Sequence, residues 1–134
     1  GQTSAQHCMT MDWSATILAA CGVEADSKHP LDGVSLMPVL QGGQPFERPM
    51  HWRMNHRSQR AMRSGPWKYL QVDANEYLFN IDADARERSN QAHRHPDRMA
   101  AMRDAWLTWN QSMPPIPADA TVSLGYSVKD MPQR

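Results

Sequence analysis

Arg60-Ala61-Met62-Arg63-Ser64-Gly65-Pro66-Trp67-Lys68-Tyr69-Leu70 is the stretch that decides the architecture. Ser64-Gly65 is a tight-turn signal between two short runs, Gln59–Arg63 before it and Pro66–Val72 after it. In the second run Trp67 and Tyr69 fall on one face and Lys68 and Leu70 on the other, the two-residue period of a strand. Pro66 stands at the strand start, where a missing N–H costs little. Pro49–Met54 reads as a strand before this hairpin. Glu76–Ile81 reads as one after it, with Tyr77, Phe79 and Ile81 alternating. Connections this short favour antiparallel neighbours, which predicts a four-stranded meander. Lys68 reads as an edge-strand lysine that snorkels to water, not as a buried base.

Downstream, residues 96–113 carry the strongest helical pattern. Pro96 suits the first helical position and Asp97 the first turn, while Met99, Met102, Trp106, Trp109 and Met113 step by three and four. Pro114-Pro115 ends the run. A stripe with two tryptophans is suited to lie on a sheet face, where each large buried side chain contributes about 1.5–3 kcal/mol. The tail of residues 114–134 shows little periodicity and reads as an extended surface segment.

Upstream, residues 10–21 read as a helix. Met9, Trp13, Ile17 and Cys21 recur every four residues with Leu18 beside them, Thr10 is placed to cap the start, Asp12 complements the dipole, and Gly22 is a natural stop. Ser14, Ala15, Ala19 and Ala20 occupy the other side, so the helix wants contacts on more than one face. Residues 22–48 are loop-rich, with a short apolar helical turn inside Leu31–Leu40. The predicted fold class is α+β: a four-stranded antiparallel sheet with a long C-terminal helix packed on it, preceded by an N-terminal helix and a loop-rich segment.

Composition bounds the function. The 134 residues suffice for one modest core, and fourteen basic side chains balance fourteen acidic ones. That balance supplies no field for nucleic acid or an anionic membrane, and no apolar run approaches the roughly 20 residues of a membrane span. Gly1-Gln2-Thr3-Ser4-Ala5 lacks the basic-then-apolar pattern of a signal peptide, which leaves a cytoplasmic or periplasmic setting open. Cys8 and Cys21 are too few and too far apart for a disulfide framework or structural zinc, and read as small packing residues. Ten methionines read as adaptable core filler.

Four blocks in order carry a resemblance. Met11-Asp12-Trp13 with Thr16, Ile17, Leu18 and Gly22 resembles "D-x-x-P-T-L-…-A-G", although Ser14-Ala15 stands where a proline is usual. Leu31-Asp32-Gly33-Val34-Ser35-Leu36-Met37-Pro38-Val39-Leu40-Gln41-Gly42 resembles "LDGxSLLPLLxG", and Arg60–Leu70 resembles "RAVRxGxWKYL". Tyr77–Asn90 is similar to "ELYDLxxDPxExxN", with Ala85 in place of the proline and Gln91 where a leucine often follows. Together these resemble the sulfatase family of the alkaline-phosphatase-like superfamily, over residues 9–113.

The resemblance implies a C-terminal piece of a hydrolase of sulfate esters. Residues 1–48 would be a helix and loop remnant of the larger α/β domain, 49–113 the smaller C-terminal subdomain, and 114–134 an extended tail. Sulfatases use a formylglycine made from the Cys or Ser of C/S-x-P-x-R and a divalent cation, usually Ca²⁺, that neutralises the sulfate oxygens. Neither Cys8-Met9-Thr10-Met11-Asp12 nor Cys21-Gly22-Val23-Glu24-Ala25 is that motif. No catalytic or metal residue carries over, so no cofactor is expected on this chain itself. The expected partners are a missing N-terminal catalytic region or a second copy of the chain. The alternatives are a free-standing non-catalytic binding or assembly module, and the tail of a phosphonate or phosphodiester hydrolase.

Three local clusters could suggest chemistry. Asn80-Ile81-Asp82-Ala83-Asp84 spaces oxygens like the start of a calcium loop but lacks the later Gly and bidentate Glu, and reads as a polar turn. His93-Arg94-His95 reads as surface and capping residues ahead of Pro96. His51, Arg53, His56 and Arg57 gather around the first strand and its loop, and are the candidates for a substrate rim that meets an anionic ester by charge-assisted hydrogen bonds.

Overall fold

Ser64 pairs with Trp67 across a two-residue loop, and Gly65 takes φ +52° there, a backbone setting that glycine adopts without penalty. The hairpin lies at the centre of one antiparallel sheet, β1 (Met50–Met54), β2 (Gln59–Ser64), β3 (Trp67–Val72) and β4 (Asn75–Asn80), in the order β1-β2-β3-β4. The computed structural model describes residues 1, 3–117, 119 and 120. They fall into two compact units, Gly1–Arg48 and a second from Pro49 onward. The reading of residues 121–134 as an extended tail lies outside the described residues.

In the second unit the register sets His51, Met62, Tyr69 and Leu78 in one row across the sheet. Helix α3 (Pro96–Gln111) covers that face, and Met62, Tyr69, Leu78, Met99, Met102 and Trp106 form its buried core. Residues of alternate strand positions therefore meet the three-and-four stripe of the helix, as expected from the two periods. The Trp106 indole N–H donates to the Trp52 carbonyl at 3.0 Å, tying the middle of α3 to β1. On the opposite face Val72, Tyr77 and Phe79 are also buried, with the last two rings stacked at 6.1 Å.

Lys68 departs from expectation. β4 adds beyond β3, so β3 is an inner strand, and Lys68 reaches both carboxylate oxygens of Glu87 at 2.7 and 2.8 Å. After β4 the chain turns on side chains: Asn80 accepts the Ala83 N–H at 3.2 Å and Asp84 accepts the Ser89 N–H at 2.8 Å. Asn90 accepts the N–H groups of Leu78 and Ala92, both at 3.0 Å, and the Gln91 N–H donates to the Leu78 carbonyl at 2.7 Å. The returning chain thus satisfies backbone groups on the outer edge of β4, an edge that would otherwise be open to pairing.

The first unit holds α1 (Thr10–Ala20) and the short α2 (Met37–Leu40). Met9, not Thr10, takes the cap position, and Asp12 accepts the Met9 N–H at 2.7 Å. Gly22 ends the helix at φ +67°. The face of α1 buried in this unit is Asp12 and Thr16. Trp13 and Ile17 are 49% and 58% exposed. Both cysteines are exposed too, which corrects their reading as packing residues. The physical reason for the inward turn of this face of α1 is hydrogen-bond demand: the Val34 and Leu36 N–H groups of the neighbouring loop need acceptors, and Asp12 and Thr16 supply them. Among the described residues no helix is long and apolar enough to cross a membrane.

Candidate functional site

Arg53 and Arg60 are direct cross-strand partners on β1 and β2. Both reach toward α3. Arg53 donates to the Asn110 side-chain oxygen at 3.1 Å and to the Pro114 carbonyl at 2.6 Å, and the Arg60 guanidinium lies 4.9 Å from the centre of a Trp106 ring. Between this end of the sheet, the C-terminal half of α3 and Pro115-Ile116 lies an open cleft of about 490 Å³. Asn55, Ser58 and Gln59 also line it, and no Asp or Glu does among the described residues.

The four rim candidates are not brought into one cluster. His51 stacks on Trp109 at 4.8 Å with the planes 9° apart. Arg53 lines the cleft. His56 and Arg57 lie in a single 3₁₀ turn, His56–Ser58, between β1 and β2. Arg57 turns to the β3–β4 loop, where it meets the Asp73 carboxylate at 2.6 and 3.0 Å. Sequence reasoning missed Arg60, Trp106 and Asn110 as companions of Arg53. The signal was present in part, since Arg60 and Met62 share a face two residues apart, but the register that opposes Arg60 to Arg53 is not a local property.

Two strands along the same row from Arg60, Glu76 is spent on neighbours. The Tyr69 hydroxyl donates to it at 2.8 Å and Arg103 reaches its other oxygen at 3.0 Å. Burial, then the Glu76 hydrogen bond and charge, push the Tyr69 phenol well above its usual range, so it stays a neutral donor. In the first unit Asp12 accepts from Met9, from the Val34 N–H at 3.0 Å and from Arg48. Burial raises the Asp12 carboxyl, and the Met9, Val34 and Arg48 donors together outweigh it and hold the group below its usual value. Thr16 donates to the Asp12 carbonyl at 2.6 Å and accepts the Leu36 N–H at 2.9 Å. Gly33 packs so closely on α1 that a β-carbon would stand 2.2 Å from the Met11 carbonyl oxygen. Asp12, Thr16 and Gly33 thus form a latch between helix and loop.

No protein-family model matches this chain, and no curated protein matches it. Solved structures do. A 6S-sulfatase structure from work on glycosaminoglycan metabolism by Bacteroides thetaiotaomicron (BT33336S-sulf) superposes with a TM-score of 0.64 at 18% identity, over 75% of this chain and 24% of that one. The fold is that of a sulfatase segment. The same sulfatase fold relates it to BT1596, a 2-O GAG sulfatase, with a TM-score of 0.55 at 21% identity over 72% of this chain and 24% of the other. The phosphonate monoester hydrolase of Agrobacterium radiobacter gives 0.51 at 18% identity, over 75% and 24%. The chain spans about a quarter of the length of each.

The sulfatase fold implies a formylglycine and a divalent cation, and the donor set here does not fit either. No C/S-x-P-x-R segment occurs in the 134 residues. Among the described residues no three His, Cys, Asp or Glu side chains gather as metal ligands. No step is therefore routed through those groups on this chain.

Proposed function

We propose that this chain is the C-terminal portion of a sulfatase-like hydrolase of sulfate esters, and that the groups performing hydrolysis belong to a preceding region. The observation that carries this is the superposition on sulfatases over about three-quarters of the chain and only about a quarter of theirs. Four sequence blocks in the family order support it. Trp13 and Ile17 on the outer face of α1 support it as well, because an apolar stripe left in water is a surface suited to cover by further chain.

Within such an enzyme this portion has two roles. Its sheet and helix are structural, and of the rim candidates His51, Arg53, His56 and Arg57, which do not form one cluster, Arg53 is the one offered to an anionic ester. Of these, Arg53 is the best placed, with its guanidinium at an open cleft. The test is turnover by the product of the complete reading frame that contains residues 1–134. Release of sulfate from an aryl sulfate supports the reading. Cleavage of an aryl phosphonate monoester with no sulfate release supports the second reading, a phosphonate hydrolase, which the Agrobacterium structure favours.

A further inference from the structure

Among the described residues β1 is the last strand on its side of the sheet. An edge strand turns the N–H and C=O of every second residue away from its neighbour, and so offers a row of groups to another strand. The opposite edge is already occupied, since Asn90 and Gln91 of the returning chain bond to the backbone of Leu78 on β4. On β1 the side chains divide by face. His51 and Arg53 turn to α3, where they meet Trp109 and Asn110. Trp52 and Met54 therefore lie on the other face, 42% and 39% exposed, and the neighbour of Trp52 across the ladder is the small Ala61. A sheet edge flanked by two large exposed apolar side chains is a surface suited to a further strand.

The chain brings a segment to this edge. After α3 the Pro114 carbonyl accepts from Arg53, and the Ala120 carbonyl accepts from Asn55, the residue that follows β1. Residues 114–134 as a whole show little periodicity, yet within them Val122-Ser123-Leu124-Gly125-Tyr126-Ser127-Val128 alternates a large apolar residue with a small one throughout. Only Thr121 separates that run from Ala120. From Asn55, the path along β1 toward Met50 is the antiparallel one. Seven residues at about 3.3 Å each reach about 23 Å, enough to pass the roughly 17 Å of β1.

We infer that the outer edge of β1 is the docking site for residues 122–128 of the same chain, paired antiparallel as a fifth strand. Val122, Leu124, Tyr126 and Val128 cover Trp52 and Met54. Ser123, Gly125 and Ser127 fall on the α3 side, where Trp109 and Asn110 already stand over His51 and Arg53. The pairing removes the open edge and takes the exposed apolar side chains of β1 out of water. It rests on β1 and this segment alone and is independent of the hydrolase reading.

The experiment is amide hydrogen exchange, read by nuclear magnetic resonance on the full 134-residue chain. Leu124→Asp/Tyr126→Asp is the disrupting variant and Gln133→Asp the control outside the segment. In the wild type and the control every amide of Met50–Met54 is expected to be protected. In the double variant every second one, those turned from β2, should exchange roughly tenfold faster or more, while β2 and β3 keep their protection. A nuclear Overhauser contact between the Trp52 ring and Leu124 or Tyr126 is a second expected result and needs no variant. Alternating fast amides along β1 in the wild type, equal exchange at β1 in wild type and double variant, or absence of the Trp52 contact overturns the docking site. Protection at β1 that grows with protein concentration assigns the strand to a second copy and overturns the in-chain pairing.

Discussion

Arg57 and Asp73 hold each other twice: the Asp73 N–H donates to the Arg57 carbonyl at 2.8 Å, and the Arg57 guanidinium returns to the Asp73 carboxylate at 2.6 Å. Both have positive φ, +54° and +53°. The pair ties the β1–β2 connection to the β3–β4 turn. Asp73→Ala removes the ion pair and keeps a β-carbon in the left-handed region, where Asp is tolerated better than Ala. The expected loss is about 1 kcal/mol, since the pair is half exposed and partly screened. Asp73→Gly is expected to lose less, because it removes the backbone strain along with the charge. Urea denaturation compares the two; an Asp73→Gly variant no better than Asp73→Ala would show that the turn geometry carries no strain.

Gly33 and Gly22 separate two uses of glycine. Gly33→Ala drives a methyl into the Met11 carbonyl and should part the loop from α1, at a cost of about 1–3 kcal/mol. Gly22→Ala meets nothing within 4 Å and costs only its positive φ, about 1 kcal/mol. Limited proteolysis within residues 22–48 is the readout. Cleavage there should rise more for Gly33→Ala, and the reverse order would contradict the close-packed latch.

Asp12 links the first unit to pH. A carboxyl lowered in the fold contributes fully above its unfolded value of 3.8, and that contribution fades as pH falls through the lower folded value. Stability measured by chemical denaturation should therefore drop below about pH 4. Asp12→Asn should be weaker at neutral pH, with Arg48 left without its anion, and should show a flatter acid limb. An unchanged acid limb in Asp12→Asn would mean other carboxylates dominate.

The sheet and α3 were legible in the sequence because both show their own period, and tertiary packing used the faces those periods define. Met62, Tyr69, Leu78, Met102 and Trp106 are core for that reason. Lys68 was misread although the expected meander already made its strand an inner one: its partner Glu87 lies beyond β4, in a turn whose return to β3 is not a local property. Asp12 read as a dipole complement, which any first-turn acid is, and its role as an acceptor for three donors depends on a loop over twenty residues away. The candidate site was legible only as charge. Arg53 stood out beside His51, His56 and Arg57, whereas Arg60 acquires meaning only from its register opposite Arg53.

The exposed stripe of α1 sets the behaviour of the isolated chain. Met11, Trp13 and Ile17 face water, an apolar patch of the kind that drives association. Light scattering is expected to show self-association that Trp13→Asp abolishes, with the far-ultraviolet spectrum retained. A wild-type chain that stays monomeric at high concentration would contradict this.

The central claim is that these residues serve a sulfate-ester hydrolase whose reacting groups lie in a preceding region. Sulfate release from a chromogenic aryl sulfate, measured side by side for the 134-residue chain and for the complete reading-frame product, tests it most directly. The account expects no turnover by the chain and sulfate release by the longer protein. Turnover by the chain alone that depends on one of its own side chains, or a longer protein inert toward every sulfate ester, would contradict it.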